Sequence, residues 1–206
     1  LVTVVPPPRA LFAPNASNKD LILSQYENLQ SQLRRSGAIV PDIMLEVEST
    51  PDAVDRYYFR ADTHWTPYGA FLSAQAVARA LAASGFEFES SGQSPYILTG
   101  DTDQVVIHGN LIRAVETVCR VELSGEISEF PTIAPATGND IATALFEDDE
   151  TLNARSIVLV GSSFSDYANS DRFRWGDSLR LTLQGDVTNM SVAGGALSAA
   201  ITAYAQ

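Results

Sequence analysis

Two short segments carry residue types that together can perform acyl transfer. Asp62 and His64 stand two positions apart in a polar loop, and Ser163 follows an apolar run at 156–160 that predicts a buried strand. A serine hydroxyl is a weak nucleophile until a base removes its proton; histidine is the usual base, and a carboxylate fixes its tautomer. The chain has only two histidines, His64 and His108, so candidates for this base are few.

Each segment also has a purely structural interpretation. Gly161, Ser162 and Ser163 can form a turn that leads from a strand into a helix. A serine there lies at the carboxyl edge of a parallel sheet, where ligands bind in open α/β folds. Asp62 can act as an N-cap near the helix that follows it, with His64 partly exposed beside it. His108 is predicted to be a loop histidine.

Taken together, the two segments resemble a known family. Residues 60–70 (RADTHWTPYGA) resemble the Asp-Thr-His-Trp-Thr-x-x-Gly-Ala signature of alginate O-acetyltransferase proteins of the AlgJ/AlgX type. Residues 158–165 (VLVGSSFS) resemble that family's Gly-Thr-Ser-Phe/Tyr-Ser nucleophile block, although Ser162 stands where related blocks have Thr or Asp. These proteins are SGNH hydrolase-like domains that help to acetylate exported polysaccharides. The resemblance implies that Ser163 is the nucleophile, His64 the base and Asp62 its orienting carboxylate.

A second resemblance, to ordinary SGNH esterases, concerns the oxyanion hole. Residues 189–194 (NMSVAG) look like the Asn-x-x-Val-x-Gly block that follows the nucleophile in those enzymes, and residues 1–81 look like their late part. The order is that of a circularly permuted domain. The resemblance implies that the N–H groups of Ser163 and Gly194 hold the oxyanion. The SGNH asparagine itself has no clear counterpart. Asn110, within a His-Gly-Asn-Leu stretch where the related acetyltransferases have Gly-Asp-Leu, is a candidate stand-in for it, and an ordinary turn residue is the alternative.

Aromatic and basic residues near these motifs are candidates for sugar binding. Trp65 and Tyr68 flank His64, and aromatic rings beside a polar site suit stacking on sugars; core packing is the alternative for Trp65. Positive charge near the nucleophile would attract an anionic sugar, with solvated loops as the alternative. The remaining substrate-binding candidates are Arg60, Arg172, Arg174 and Trp175.

Composition limits the classes of function that fit. The chain has 206 residues and a formal net charge of −12, which argues against a general nucleic-acid binder. Cys119 is the only cysteine, so neither an intrachain disulfide nor a cysteine-based metal site is expected, and two histidines exclude a histidine-rich one. No metal or other cofactor is predicted. No apolar run approaches the length of a membrane-spanning helix.

The elements that must position these residues follow a β-α-β order at the start of the chain. Strands are predicted at 1–5, 38–47, 156–160 and 186–192. Helices are predicted at 18–36, 70–81 and 196–205, with a helix or loop at 171–181. We expect one three-layer α/β/α SGNH-hydrolase-like domain over residues 1–206 with a mainly parallel sheet. Residues 86–150 are predicted to be an irregular insertion with short alternating pieces at 104–107 and 119–123 and a candidate hairpin.

The predicted function is O-acetylation of an exported polysaccharide through an acetyl-serine on Ser163. An acetylesterase using the same site, or a non-catalytic polysaccharide-binding or assembly subunit, are the alternatives. The family resemblance implies a polysaccharide acceptor and an acetyl donor relayed by a membrane-bound O-acyltransferase. It also implies a periplasmic or cell-envelope location, with any signal or anchor segment lying outside this sequence.

Overall fold

The computed structural model describes residues 1–86, 96–135, 156–165, 175–194 and 202. The chain divides into two compact units, Leu1–Phe88 with Val106–Ser128 and Glu89–Val105 with Glu129–Gln206. The described helices are α1 (Lys19–Arg35), α2 (Ile43–Glu48), α3 (Ala53–Arg56), α4 (Pro67–Ala83), α5 (Asn110–Cys119) and α6 (Trp175–Leu183), with a 3-10 turn at Arg9–Leu11. The strands are β1 (Tyr96–Ile107), β2 (Glu126–Pro135), β3 (Ser156–Leu159) and β4 (Asp186–Asn189). Among these residues, no helix has the length and apolar character needed to cross a membrane.

The two long helices of the first unit, α1 and α4, occur where the sequence predicts helices. In α1 the acidic Asp20 lies in the first turn and basic residues lie in the last, which suits the helix dipole. Helix α4 extends the predicted helix by three residues at its start. Thr66 caps that start, because its Oγ1 accepts a hydrogen bond from Gly69 N at 3.1 Å, and Pro67 occupies the first turn, where no N–H is needed.

The strand prediction for residues 38–47 is wrong for most of its length. Only Ile39 pairs, in an isolated parallel bridge with Val2, and the strand predicted at 1–5 is likewise reduced to that bridge. Pro41 cannot donate a ladder hydrogen bond, and Asp42 then starts α2 by accepting a hydrogen bond from Leu45 N at 3.1 Å. The apolar run therefore becomes a short helix that buries Ile43 and Val47.

Regular structure occupies part of the region predicted to be an irregular insertion. Strands β1 and β2 pair with each other, and α5 lies between them in sequence. The alternating piece predicted at 119–123 is not a strand, since α5 ends at Cys119 and Arg120 takes a left-handed conformation with φ of 55°. Whether residues 86–150 form an insertion within one domain stays a prediction.

The second unit contains the parallel strands that the sequence predicts most clearly. Strand β3 pairs with β4 in parallel, with Ser156 opposite Asp186 and Leu159 opposite Asn189. Helix α6 packs against β4, and the buried side chains include Leu159, Leu179 and Val187. The predicted helix at 196–205 lies outside the described residues, apart from position 202.

Candidate active site

A closed loop at residues 59–64 carries Asp62 and His64. Tyr58 and Trp65 form an isolated antiparallel bridge at its base, and Phe59 N donates to His64 O at 3.2 Å. One step further out, Thr66 N donates to Tyr57 O at 2.9 Å. The loop is therefore pinned directly before α4, so Asp62 and His64 are held by the backbone rather than by a freely moving connection.

Asp62 and His64 form a hydrogen-bonded pair. His64 Nδ1 lies 2.5 Å from Asp62 Oδ1, and the His64 backbone N–H donates to the same oxygen at 3.0 Å. The Asp62 side chain is 4% exposed and that of His64 is 14% exposed. With Nδ1 protonated and directed at the carboxylate, the lone pair of the neutral ring resides on Nε2, as a general base requires.

The N-terminus of α5 faces the same loop. Asn110 N donates to Asp62 Oδ2 at 2.8 Å, so the two carboxylate oxygens have different partners. Leu111 N and Ile112 N donate to Ala61 O at 3.1 and 3.3 Å. The first N–H groups of a helix lack partners within the helix and carry partial positive charge, which favours a carboxylate at this position.

These contacts decide the protonation state of Asp62. Burial by itself would raise the pKa of the carboxyl group, because it disfavours the charged form. Hydrogen bonds from the His64 ring, the Asn110 N–H and the His64 N–H act in the opposite direction and lower the pKa from 3.8 to about 2. Asp62 is therefore an anion at every pH at which the protein is expected to act.

Two distant residues hold the backbone of the loop. The Arg9 guanidinium donates through one nitrogen to Phe59 O at 2.5 Å and to Asp62 O at 2.8 Å, and it also lies 5.5 Å from the centre of the Tyr58 ring. On another part of the loop, Ala61 N donates to Glu126 Oε2 at 2.8 Å. The sequence pattern did not single out Arg9 or Glu126, since nothing in their local spacing marks them as partners of a loop 50 or more residues away.

Gly109 is required by the close approach of α5 to Asp62. A Cβ atom at this position would overlap Ala61 O as well as Cβ and Oδ2 of Asp62, although the backbone φ of −75° suits any residue. We expect Gly109→Ala to lower the free energy of unfolding by about 1–3 kcal/mol, as overpacking does, and to lower activity further by displacing the carboxylate. Urea denaturation and acetyl-ester turnover measure the two effects.

Gly176→Ala is the matched control for that prediction. A Cβ at Gly176 would meet Val187 Cγ1 at 3.7 Å and Leu159 Cδ2 at 4.0 Å, which are ordinary contacts. This variant should keep the stability and turnover of the wild type. Unchanged stability and turnover in Gly109→Ala would show that α5 tolerates a different position relative to Asp62.

The serine turn lies in the second unit, after β3. Ser165 N donates to Ser162 O at 2.9 Å, which closes a tight turn with the half-buried Ser163 inside it. Asn189, at the end of β4, joins this turn to the next segment, because its Nδ2 donates to Ser165 O at 2.9 Å and its Oδ1 accepts from Ser191 N at 3.0 Å. In the sequence, Asn189 is only the first residue of the Asn-x-x-Val-x-Gly block. The two hydrogen bonds show that its side chain links the serine turn to the segment after β4.

Gly194 follows the same segment at an exposed position. Its φ of +71° is a left-handed conformation that favours glycine, and a Cβ there would meet nothing within 4 Å. Backbone conformation rather than crowding therefore explains the glycine. Asp62 and His64 belong to the first unit and Ser163 and Gly194 to the second, and the pairing of the two halves is a proposal.

Several sugar-binding candidates have structural partners. Trp65 is 6% exposed and packs edge-on against Tyr57 with ring centres 6.4 Å apart, so it contributes packing rather than a stacking surface. Trp175 is 7% exposed and belongs to the core of the second unit. The Tyr68 ring is covered by the Arg56 guanidinium at 4.0 Å.

Sugar binding by the three arginine candidates stays a prediction. Arg60 is exposed, and Arg172 and Arg174 lie outside the described residues. The second histidine, His108, pairs through Nε2 with Glu116 Oε2 at 2.8 Å, in keeping with a loop histidine. Within the described ranges, no group of three or more His, Cys, Asp or Glu side chains is arranged to hold a metal ion.

Comparison with known proteins adds the family context. A family model described as the SGNH hydrolase-like domain of the acetyltransferase AlgX matches residues 1–206. The probable alginate O-acetylase AlgJ of Pseudomonas putida is 27% identical over 177 residues, covering 80% of this chain and 41% of that protein. The alginate biosynthesis protein AlgX of Pseudomonas fluorescens is 26% identical over 224 aligned positions, covering 99% of this chain and 42% of that protein. The chain thus spans less than half the length of these two relatives.

Solved structures confirm the predicted fold. The O-acetyltransferase domain of Pseudomonas putida AlgJ superposes with a TM-score of 0.72 at 23% identity, covering 100% of this chain and 67% of that one. Pseudomonas aeruginosa AlgX superposes with a TM-score of 0.64 at 23% identity, covering 86% of this chain and 39% of that one. Together with the family match, these superpositions show that the α/β class and the SGNH hydrolase-like architecture predicted from the sequence are correct.

Proposed function

This chain belongs to the family of SGNH hydrolase-like domains of the acetyltransferase AlgX, and on that premise we propose that it acetylates an exported polysaccharide through an acetyl-serine on Ser163. The observation that carries the proposal is the Asp62–His64 pair. A buried carboxylate that accepts from His64 Nδ1 at 2.5 Å leaves the ring lone pair on Nε2, where a general base needs it. A histidine that served only packing would not need hydrogen bonds from both its ring and its backbone to one buried carboxylate.

The proposed first half-reaction forms the acetyl-serine. His64 Nε2 accepts the hydroxyl proton of Ser163 while Ser163 Oγ bonds to the carbonyl carbon of the acetyl donor. The N–H groups of Ser163 and Gly194 stabilise the negative charge that develops on the carbonyl oxygen. When the tetrahedral intermediate collapses, the donor's leaving group departs with the proton from His64, and the acetyl group stays on Ser163.

The proposed second half-reaction transfers the acetyl group to the sugar. His64 removes the proton of a sugar hydroxyl, whose oxygen attacks the acetyl carbon of acetyl-Ser163. Collapse of the second tetrahedral intermediate releases Ser163 Oγ, which recovers the proton from His64. Asp62 stays ionised throughout and stabilises the imidazolium that forms twice per cycle.

We propose alginate as the acceptor, because relatives that match most of this chain are named alginate O-acetylase and alginate biosynthesis protein. Alginate is a polymer of uronic acids, so its carboxylates need local positive charge on a protein whose net charge is −12. Arg60 is exposed within the loop that carries Asp62 and His64 and is suited to this role. A membrane-bound O-acyltransferase that relays the acetyl group, and a periplasmic location, complete the proposal.

The test uses a small acetyl ester as donor and an unacetylated mannuronate oligomer as acceptor. We expect the oligomer to gain acetyl groups, and we expect a brief incubation without acceptor to leave one acetyl group on the peptide that contains Ser163, both by mass spectrometry. Hydrolysis of the ester without acetylated oligomer would instead assign an acetylesterase. Binding of the oligomer with no turnover of any kind would assign a polysaccharide-binding subunit.

A further inference from the structure

The side chain of Asn110 makes contacts that an oxyanion donor would not need. Its Oδ1 accepts a hydrogen bond from Thr63 N at 3.0 Å, and its Nδ2 donates to Thr63 Oγ1 at 2.7 Å. Thr63 is the residue between Asp62 and His64. Through its own backbone N–H, Asn110 also holds Asp62 Oδ2 at 2.8 Å. One residue at the start of α5 therefore contacts both the carboxylate and the position that links it to the base.

We propose that Asn110 is a positioning residue that sets the orientation of the Asp62–His64 pair by binding Thr63, and that it is not an oxyanion donor. This inference rests on the proposed function of the pair. The Thr63 N–H can only donate, so the amide oxygen of Asn110 must face it and the amide nitrogen must face Oγ1. The two hydrogen bonds together fix both the backbone and the side chain of Thr63.

Through Thr63, Asn110 affects the position of Asp62 relative to the His64 ring. The His64 backbone N–H and ring Nδ1 both bind Asp62 Oδ1, so a rotation of the peptide units on either side of Thr63 moves the carboxylate relative to the ring. A displacement of about 1 Å in a catalytic group can cost about a hundredfold in rate. Because Asn110 is exposed, it contributes little to the core, and its removal should leave the fold intact.

The two roles of Asn110 have opposite chemical requirements, which a conservative variant separates. Positioning requires an acceptor for the Thr63 N–H, whereas oxyanion stabilisation requires an N–H donor. Asn110→Asp keeps the acceptor, and the Thr63 hydroxyl can rotate to donate to the second carboxylate oxygen. The same variant removes the amide donor and places a negative charge where an oxyanion would develop. A carboxylate in the first turn of α5 is also favourable toward the helix dipole.

The experiment compares Asn110→Ala with Asn110→Asp in acetyl-ester turnover. We expect kcat to fall about tenfold or more in Asn110→Ala with little change in KM, and to return to within about threefold of the wild type in Asn110→Asp. The matched control is Asn28→Ala, which removes an exposed amide on α1 whose Oδ1 accepts a hydrogen bond from Gln32 Nε2 at 3.3 Å. Activity lower in Asn110→Asp than in Asn110→Ala would overturn the proposal.

Two further measurements separate positioning from a general structural effect. Thr63→Val should lower kcat less in the Asn110→Ala background than in the wild type, because the contact between Asn110 Nδ2 and Thr63 Oγ1 is already absent in that background. The proton NMR signal of His64 Nδ1–H, identified by its absence in His64→Gln, should broaden in Asn110→Ala and stay sharp in Asn110→Asp and Asn28→Ala. An unchanged signal in Asn110→Ala would contradict the proposal.

The NMR measurement does not depend on turnover. If the wild-type protein transfers no acetyl group, the proposed function fails, and the Nδ1–H signal still reports whether Asn110 orders the pair. If the wild type is active and the signal in Asn110→Ala is unchanged, the inference on Asn110 fails alone.

Discussion

Ser163→Ala is expected to abolish both acetyl-ester turnover and acetyl transfer to a mannuronate oligomer. Loss of the nucleophile removes the covalent intermediate, so the rate should fall at least about a thousandfold, to the level that binding and oxyanion stabilisation alone support. The peptide that contains Ser163 should also stop gaining an acetyl group. The measurements are the initial rate of ester cleavage and the mass of that peptide.

Ser162→Ala is the control that isolates the hydroxyl of Ser163. Ser162 contributes its backbone carbonyl to the turn, as the acceptor for Ser165 N at 2.9 Å, and alanine keeps that carbonyl. We expect Ser162→Ala to retain turnover within about threefold, as is usual for a substitution that leaves the reacting groups in place. If Ser163→Ala behaved like the wild type while Ser162→Ala were inactive, Ser162 rather than Ser163 would be the nucleophile.

Asp62→Asn is expected to lower kcat by about 10⁴-fold. A loss of this size is seen when the carboxylate of a Ser-His-Asp triad becomes an amide. Asp62 Oδ1 accepts from both Nδ1 and the backbone N–H of His64, so an amide at this position can offer its N–H to the ring and favour the wrong tautomer. The side chain has almost the same size, and the loop should therefore remain folded. Near-UV circular dichroism, to which the packed Tyr57 and Trp65 rings contribute, checks the fold, and ester turnover measures the loss.

The same variant also tests the ionisation of Asp62 through the pH dependence of stability. The folded-state pKa of about 2 lies below the ordinary value of 3.8, so ionised Asp62 stabilises the folded state at pH values above about 4. This contribution should disappear as the pH falls from about 4 to 2. In urea denaturation, the difference in unfolding free energy between wild type and Asp62→Asn should thus shrink over that interval. A difference that stays constant from pH 6 to 2 would mean that folding does not perturb Asp62.

Local patterns in the sequence were sufficient for the elements that depend on neighbouring residues. Helix α4 is predictable because its apolar face repeats with helical spacing and Pro67 and Thr66 suit its start. Strand β3 is a continuous apolar run of the kind that parallel strands require. The Asp62–His64 pairing is an interaction across two positions, so the spacing alone brings the two side chains within reach.

Long-range contacts explain what the sequence could not provide. The partners of the Asp62 loop lie at Arg9, Asn110 and Glu126, with sequence separations of 47 to 65 residues. No local pattern in the sequence reveals such pairings. The apolar content of residues 38–47 favours a strand, whereas the Asp42 side chain caps a helix there. The exposure of Trp65 could not be judged either, since its burial depends on packing against Tyr57.

The first unit is discontinuous in sequence, because residues 106–128 belong to it while the residues on either side belong to the second unit. Those residues include Asn110, whose N–H binds Asp62, and Glu126, which accepts from Ala61 N. A shortened chain that omitted residues 106–128 would keep Ser163, His64 and Asp62. The buried Asp62 carboxylate would, however, lose the Asn110 N–H as a hydrogen-bond donor. A buried polar group that loses its partner costs about 1–3 kcal/mol. The shortest chain that retains an ordered base is therefore set by hydrogen-bond partners of Asp62 and Ala61, rather than by the span of the motifs.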